Sequence, residues 1–439
     1  MKNLLKITSL ILGMILLIFI VPVQASPANT TGTPAPVLLW SGSTGSAESM
    51  SDNAAKVSCS GDGKYIAVGY GAGIVEFRDR QGAILWRWQP PHSYYTVWEV
   101  VVSRNGEYTG VVLYDPLQNN MGELDYFDKA GNFLWNKSMK GAFGFESLSG
   151  DGNVVALSDA NRINFFNTTG QIIGTTVLEG FPWAMALSDD GSTAGISTGY
   201  DSGYLYAVSA NGTILWRSPE GPQGLSVAIS GDGRYLASTD SNTLRYFTIG
   251  EDKLFSFNST PEFTGVAVSS DSAYVATSSQ YYLRFFNSSG AKLWQYEVPT
   301  LPTKPGPYLD HLTMSEDGNY LSVTTNSNRT LFFNREGKLL FQNESPTWIV
   351  STSLSQNGKY LAIGTEKEFV YFDTGIDTPV VEPEPTIVAT TVSLLPTPSS
   401  TPRASAPTIM VIAGICAGIL LFKMKQKKDF FKKSIRKKT

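Results

Sequence analysis

The chain carries few side chains of the types that usually do chemistry. Its 439 residues include two histidines, His92 and His311, and two cysteines, Cys59 and Cys416. Two cysteines cannot form a disulfide-rich scaffold, and two histidines leave little material for a histidine-built metal site. No Ser-His-Asp or Cys-His hydrolase arrangement is recognisable, and no Walker-type loop occurs. Hydrolytic and nucleotide-dependent enzymes are therefore not favoured.

The Asp-Gly and Asn-Gly steps are a second possible source of chemistry, because carboxylates bind hard cations. Ca²⁺ takes about six to eight oxygen ligands, whereas each step offers one or two carboxylates, as in Asp189-Asp190. These steps are typical of turns in which the side chain bonds to the backbone. We therefore predict no metal site and no cofactor.

The same steps mark an internal repeat. A Ser-x-[Asp/Asn]-Gly turn recurs with its glycine at 63, 106, 152, 191, 233, 318 and 358, and Ser269–Ser272 is a degenerate copy. The period is about 42 residues. A short apolar strand precedes each turn and an alternating strand follows it. An aromatic strand comes next, ending in Phe-[Asp/Asn] in several repeats, and a second glycine turn then leads into a Leu-Trp pair in four of them. Four short strands repeated at this spacing predict one propeller blade per repeat.

Eight turns predict an all-β, eight-bladed β-propeller over residues 36–378. The last repeat lacks its Leu-Trp strand, whereas a spare Val37-Leu-Leu-Trp40 precedes the first repeat. We therefore expect the N-terminal strand to close the last blade, which removes an exposed sheet edge. Cys59 falls on a predicted inner strand and is expected to be a core residue.

The loops that enter the innermost strands hold the candidate binding residues. Most positions four residues before the turn serine are small or apolar, but Lys56, Glu99 and His311 interrupt them. Other candidates lie in or beside the same loops: His92, Trp98, Trp183 and Trp348. An aromatic rim with a few polar groups suits a sugar, a peptide or a partner loop. The alternative is that the aromatic residues only fill the top of the channel.

The repeat resembles two known families. The pattern Phe-[Asp/Asn]-x-x-Gly-x-x-Leu-Trp resembles pyrroloquinoline-quinone (PQQ)-type propellers, and Ser-x-Asp-Gly-x-Tyr-Leu-Ala resembles WD40-like repeats without their Gly-His and Trp-Asp pairs. Together with the export signal, the stalk and the membrane anchor described below, these repeats make the chain look like an archaeal cell-surface propeller protein. The first resemblance implies a quinone- and calcium-dependent oxidoreductase as one possibility. That family typically has an adjacent-cysteine disulfide, which this chain lacks.

The N-terminus predicts export. Two lysines precede an apolar run over 7–23 that ends in Val-Gln-Ala. This arrangement is typical of a signal peptide, which we place at residues 1–25 and follow with a short linker over 26–35. The slightly long run leaves an uncleaved signal anchor as the alternative.

The C-terminus predicts membrane attachment. Residues 379–407 are rich in Pro, Thr and Ser and are expected to form an extended stalk. Residues 408–422 are apolar and are expected to form a transmembrane helix, with 423–439 as a basic cytoplasmic tail. The expected location is the cell membrane, with one span and an extracellular propeller. Gly414 and Gly418 form a GxxxG spacing that would suit a homodimer.

Charge and sequons complete the expectations. Outside the first six and last seventeen residues, 37 acidic side chains outnumber 23 basic ones, which argues against a nucleic-acid partner. Sequons in the propeller predict N-glycosylation at Asn136, Asn167, Asn211, Asn258, Asn287, Asn328 and Asn343. We expect a non-enzymatic binding or scaffolding module for an extracellular protein or glycan. A structural envelope protein without a specific pocket is the alternative, and a PQQ-type oxidoreductase is a second one.

Overall fold

The chain folds into β-strands throughout its described part. The computed structural model describes residues 35–44, 54–70, 73–90, 95–115, 121–139, 146–199, 203–218, 224, 226–251, 253–299 and 308–376. Within these ranges there is no helix, and hence none that could span a membrane. The expected signal peptide, most of the linker, the stalk, the transmembrane helix and the tail lie outside the described residues, as do Gly414 and Gly418.

The 32 strands form eight four-stranded antiparallel sheets, the blades of the ring. Blades 1 and 2 comprise β2 (Lys56–Cys59), β3 (Tyr65–Tyr70), β4 (Ile74–Asp79), β5 (Ile84–Trp88), β6 (Thr96–Val102), β7 (Tyr108–Asp115), β8 (Met121–Asp128) and β9 (Phe133–Met139). Blades 3 and 4 comprise β10 (Glu146–Leu148), β11 (Val154–Asp159), β12 (Arg162–Asn167), β13 (Ile172–Val177), β14 (Pro182–Leu187), β15 (Thr193–Thr198), β16 (Leu205–Ser209) and β17 (Ile214–Arg217).

The remaining blades repeat the arrangement. Blades 5 and 6 comprise β18 (Ser226–Ile229), β19 (Tyr235–Thr239), β20 (Thr243–Thr248), β21 (Lys253–Asn258), β22 (Phe263–Val268), β23 (Tyr274–Ser279), β24 (Tyr282–Asn287) and β25 (Lys292–Glu297). Blades 7 and 8 comprise β26 (Leu309–Met314), β27 (Tyr320–Thr325), β28 (Arg329–Asn334), β29 (Leu339–Glu344), β30 (Ile349–Leu354), β31 (Tyr360–Thr365), β32 (Glu368–Asp373) and, from the other end of the chain, β1 (Val37–Ser43).

The closure of the ring confirms the sequence-based expectation. Strand β1 pairs antiparallel with β32, and Val37 stands opposite Asp373. The Trp40 indole N–H donates to the carbonyl of Arg80 in blade 1, at 2.9 Å. The N-terminal strand therefore completes blade 8 and also binds it to blade 1.

Each Ser-x-[Asp/Asn]-Gly turn connects the first two strands of a blade and is held by its own side chains. In blade 5, the Ser230 hydroxyl donates to Asp232 Oδ1 at 2.7 Å, and the same oxygen accepts the Arg234 N–H at 3.1 Å. Gly233 adopts a φ of 68°, which favours glycine. The equivalent bonds occur in all eight turns. The turn carboxylates thus have a structural role.

The second residues of these turns form a closed ring of backbone hydrogen bonds between blades. Each N–H donates to the carbonyl of the next turn, at 2.7–3.0 Å, and the last donates back to the first. The ring runs through Gly61, Arg104, Gly150, Asp189, Gly231, Ser270, Glu316 and Gln356. We call the end of the propeller that carries these turns the turn end, and the opposite end the mouth.

Side chains of the same ring meet across it. Arg104 forms ion pairs with both Asp189 and Glu316, and Gln356 donates to Glu316. The Ser270 hydroxyl donates to Asp189 Oδ2 at 2.6 Å. These ion pairs and hydrogen bonds therefore link several blades at the turn end. The spacing of the repeat did not predict this polar cluster.

Aromatic side chains fill the space between blades. The rings of Tyr65 and Phe77 stack with centroids 5.4 Å apart, Phe77 stacks on Trp86 at 5.2 Å, and Trp86 stacks on Phe127 of the next blade at 5.5 Å. A Cβ atom at Gly131 would lie 2.6 Å from Trp86. The Gly and Trp of the repeat therefore belong to one interblade contact.

Both ends of the described ring leave it at the turn end. Strand β32 ends at Asp373, which pairs with Tyr360 directly after the turn of blade 8. Strand β1 begins at Val37, which pairs with the other side of Asp373. The mouth is therefore the face opposite both ends of the described ring.

Candidate functional site at the mouth of the ring

Bulges interrupt several innermost strands near the mouth. In β6, Val97 and Glu99 pair with adjacent residues of β7, which leaves Trp98 as the extra residue. In β14, Trp183 is the extra residue in the same way. Trp98 and Trp183 are 45% and 41% exposed, and Trp348, directly before β30, is 55% exposed. Bulges redirect side chains and are frequent near functional sites.

This placement corrects part of the sequence-based expectation. Trp98, Trp183 and His311 were expected in loops, but all three lie inside innermost strands. The physical reason is that a bulge accommodates an extra residue without ending the strand. His92 lies outside the described residues. Cys59 is buried with a free thiol, as expected for a core position.

Three of the expected polar residues act on one another at the mouth. Burial lowers the pKa of the Lys56 ammonium, while the carboxylates of Glu99 and Asp310 oppose this effect. The surrounding protein removes part of the water around the exposed Glu99 carboxyl and so raises its pKa, with Lys56 acting in the opposite direction. Burial also lowers the pKa of His311, so its imidazole is neutral at pH 7. The cluster thus brings an amine, an imidazole and the carboxyl groups of Glu99 and Asp310 within electrostatic reach of one another.

His311 has an unusual backbone. Its φ is 41°, and the register of β26 shifts between Asp310 and Thr313. The His311 N–H donates to Asp310 Oδ1 at 2.9 Å, and its Nε2 lies 3.8 Å from Asp310 Oδ2. Its carbonyl accepts the Thr352 hydroxyl at 3.3 Å. Strained non-glycine residues cluster at binding and catalytic sites.

Sequence reasoning missed Asp310 as a member of this cluster. The signal was present, because Asp310 occupies the position that holds Trp98 and Trp183 in other repeats, five residues before the turn serine. The exposed ring of Tyr308 lies two residues before it. Among the eight repeats, only this one has a carboxylate at that position, which marks it as different.

One stretch of the sequence matches the nucleophile-elbow motif of hydrolases, but its structure does not support that role. Gly195-Ile-Ser197-Thr-Gly199 matches Gly-x-Ser-x-Gly, but that motif requires a strand-to-helix turn. Ser197 instead lies within β15, is fully buried, and donates to the carbonyl of Gly224 at 3.3 Å. Among the described residues, no group of three or more His, Cys, Asp or Glu side chains is arranged to hold a metal ion.

The sequons occupy turns and outer strands. Asn136, Asn211 and Asn258 are exposed, and the other four asparagines are half-buried. The side-chain oxygen of Asn211 accepts the Thr213 N–H at 3.0 Å, so this residue also stabilises its turn. Six of the seven lie on the third or outermost strand of a blade or in the turn between those strands, whereas Asn328 lies in the turn between β27 and β28, at the mouth end of blade 7.

Known proteins resemble the chain in its repeat and its fold. The PQQ-repeat family model described as outer membrane protein assembly factor BamB matches residues 201–375, which is less than half of the chain. The C-terminal WD40 domain of Sif2 is 14% identical, with 78% of this chain and 99% of that chain covered and a TM-score of 0.63. No curated protein matches the chain. Chains of solved structures that match number 1714, so the fold alone does not select a function.

These matches confirm part of the first expectations. The family match supports the PQQ-like character of the repeat over residues 201–375, and the WD40 neighbour shares the propeller fold. The resemblance to archaeal cell-surface proteins stays a prediction. The chain is an eight-bladed β-propeller, and a PQQ-repeat family model matches residues 201–375 of it.

Proposed function

We infer that the chain is a membrane-anchored extracellular binding module that engages a protein or glycan partner at the mouth of its ring. The observation that carries this proposal is the set of three exposed tryptophans at one end: Trp98, Trp183 and Trp348. Tryptophan is enriched at binding hot spots because it contributes a large apolar area together with a polar N–H group. Exposing three of them on one face is costly unless that face is covered by a ligand.

The course of the chain supports the orientation in this proposal. Both ends of the described ring leave at the turn end. The segments before β1 and after β32 therefore join the ring on the face opposite the mouth. The acidic excess of the body argues against a nucleic-acid partner. Glycans at six of the seven sequons would surround the outer part of the blades, whereas a glycan at Asn328 would stand at the mouth end of blade 7.

The test compares partner capture by the full-length chain and its mouth variants. The chain is displayed on host cells, envelope components are cross-linked to it, and an array of defined glycans is probed in parallel. We expect Trp98→Ala and Trp183→Ala each to lower capture of the same partner at least fivefold, because each removes an exposed apolar contact. Phe133→Ala is the matched control, since Phe133 is 48% exposed on an outer strand.

The opposite result is equally informative. Equal capture by wild type and both tryptophan variants, with all three folded by circular dichroism, would contradict the mouth site. It would favour the structural envelope protein, which depends on its anchor and not on a pocket.

A further inference from the structure

A distinct pocket lies at the mouth beside the charged cluster. It has a volume of about 310 Å³, and residues from blades 6, 7 and 8 line it. Its walls include Gln280, Tyr308, Asp310, Thr324, Asn326 and Trp348. Most of the lining surface is apolar, so the few polar groups decide which ligand fits.

The two aromatic walls are held in place by backbone hydrogen bonds. Tyr308 donates its N–H to Asn326 Oδ1 at 3.1 Å, and its carbonyl accepts the Asn326 N–H at 2.9 Å. The Trp348 carbonyl accepts the Glu366 N–H at 3.0 Å. Tyr308 is 46% exposed and Trp348 is 55% exposed. Both backbone segments are thus fixed before any ligand binds.

The carboxylate in the wall is held by the bulge of β26. Asp310 precedes the strained residue His311 and accepts its N–H, while the Asp310 carbonyl accepts the Thr324 hydroxyl at 3.1 Å. Bulges and left-handed residues cost stability and persist where they position a group. Here the positioned group is the carboxylate of the pocket.

The charge around this carboxylate is incompletely balanced. The described residues that line the pocket include no Lys or Arg. The neighbouring His311 is neutral at pH 7, and Lys56 interacts with Glu99 as well as with Asp310. Burial, Asp310 and Glu262 together raise the pKa of Tyr308, which places a further carboxylate within electrostatic reach of the pocket.

We propose that this pocket binds an alkylammonium group, with Asp310 as its counter-ion and the rings of Tyr308 and Trp348 as its cation–π walls. Aromatic faces attract organic cations within about 6 Å, and quaternary ammonium ligands are recognised in this way. The proposal deepens the proposed function and rests on it, because the ammonium would belong to a ligand engaged at the mouth. Two sources share the chemistry, namely a lysine side chain of a protein partner and a free small amine.

The test measures binding of defined probes to the full-length chain by saturation-transfer NMR. Tetramethylammonium represents the small amine, and Nα-acetyl-lysine methylamide, whose ε-ammonium group is free, represents the lysine side chain. Methyl glucoside and acetate are the neutral and anionic comparisons. We expect saturable binding of at least one ammonium probe and none of acetate. Asp310→Asn and Trp348→Ala should each weaken that binding about tenfold, since each removes one of the two attractions.

Two control variants test whether loss of any exposed carboxylate or aromatic ring, and not only of those in the pocket, weakens binding of the ammonium probe. Glu344→Gln removes an exposed carboxylate on β29 of the same blade, and Phe133→Ala removes an exposed aromatic ring outside the mouth. Both should bind as wild type does. Tighter binding of the lysine derivative would indicate a protein side chain, and tighter binding of tetramethylammonium would indicate a small quaternary amine.

Three outcomes would overturn the inference: no binding of either ammonium probe, binding unaffected by Asp310→Asn, or preferential binding of methyl glucoside. The proposed function is judged separately. If Trp98→Ala and Trp183→Ala reduce partner capture while the ammonium probes fail, the mouth stays a binding face and only the ligand class is wrong. If the ammonium probes bind while no mouth variant alters capture, the pocket is real and the proposed function fails.

Discussion

At the residue scale, Asp125 shows what an uncompensated buried carboxyl does to a blade. It lies on β8, is 2% exposed, and its Oδ1 atom has no hydrogen-bond partner. Glu76 occupies the equivalent place in blade 1, where Tyr70 donates to it at 2.8 Å and Arg78 pairs with it. Burial, together with the nearby Glu123 carboxylate, raises the pKa of Asp125 to about 8.

This shift predicts a pH-dependent stability. The folded state holds the Asp125 proton up to about pH 8, whereas an unfolded Asp releases it near about pH 4. Stability is therefore greatest below the unfolded pKa and falls as pH rises between these values, by up to about 1.4 kcal/mol per pH unit from this group. We expect Asp125→Asn to flatten that decline and to raise the unfolding midpoint at pH 8, as measured by urea denaturation at pH 5, 6.5 and 8.

The control for this prediction is Glu344→Gln, which neutralises an exposed carboxylate. It should leave the pH dependence unchanged. A decline of the same slope in wild type and Asp125→Asn would show that other groups determine it.

At the element scale, the turn of blade 6 differs from the other seven. Ser272 stands where they have glycine and adopts a φ of 64°. A left-handed conformation costs an L-residue about 1–2 kcal/mol. The retained bonds of Ser269 and Asp271 hold the turn in spite of this cost.

Replacing the serine should therefore stabilise the ring. We expect Ser272→Gly to raise the free energy of unfolding by about 0.5–1 kcal/mol, since glycine removes the strain at the cost of some unfolded-chain entropy. Calorimetry should show a melting temperature higher by about 1–3 °C. The reciprocal change, Gly233→Ser, should destabilise, because its Cβ would lie 3.0 Å from the Thr193 Cβ atom at a φ of 68°. A lower melting temperature for Ser272→Gly would refute the strain argument.

Elements of this kind were predictable from the sequence, and the bulges were not. The Ser-x-[Asp/Asn]-Gly turns depend on contacts within five residues, so the local sequence alone predicts their structure. The bulge at Trp98 depends instead on the register between β6 and β7, which is set by packing across the blade. The same limit applies to Asp310, which lines a pocket with Trp348 only once blades 7 and 8 pack against each other.

At the scale of the whole molecule, stability depends on a strand from the far end of the chain. Trp40 packs edge-on against Phe369 with centroids 6.0 Å apart and bonds to the carbonyl of Arg80. Trp294 makes the equivalent bond to Arg335 at 2.7 Å, but in a blade built from consecutive strands. The two tryptophans therefore have similar contacts and different topological roles.

The comparison predicts different consequences for the two variants. Trp40→Ala and Trp294→Ala should each cost about 2–4 kcal/mol of unfolding free energy, because each loses a large half-buried ring. Only Trp40→Ala should also promote oligomers, since detachment of β1 leaves β32 as an open sheet edge. Denaturation and size-exclusion chromatography measure the two effects. Equal oligomer formation by both variants would contradict the distinct role of the closing strand.

The seam between β1 and β32 also determines how the ring responds to tension. Because the strands are antiparallel and both chain ends leave beside Val37 and Asp373, a pull on the two ends acts on that outermost pair first. The residue pairs of the seam then separate one after another. A force directed along the strands would instead have to break all of their hydrogen bonds at once. The propeller is therefore mechanically weakest where β1 and β32 meet, and stretching would open blade 8 there before the force reached the mouth at the opposite end.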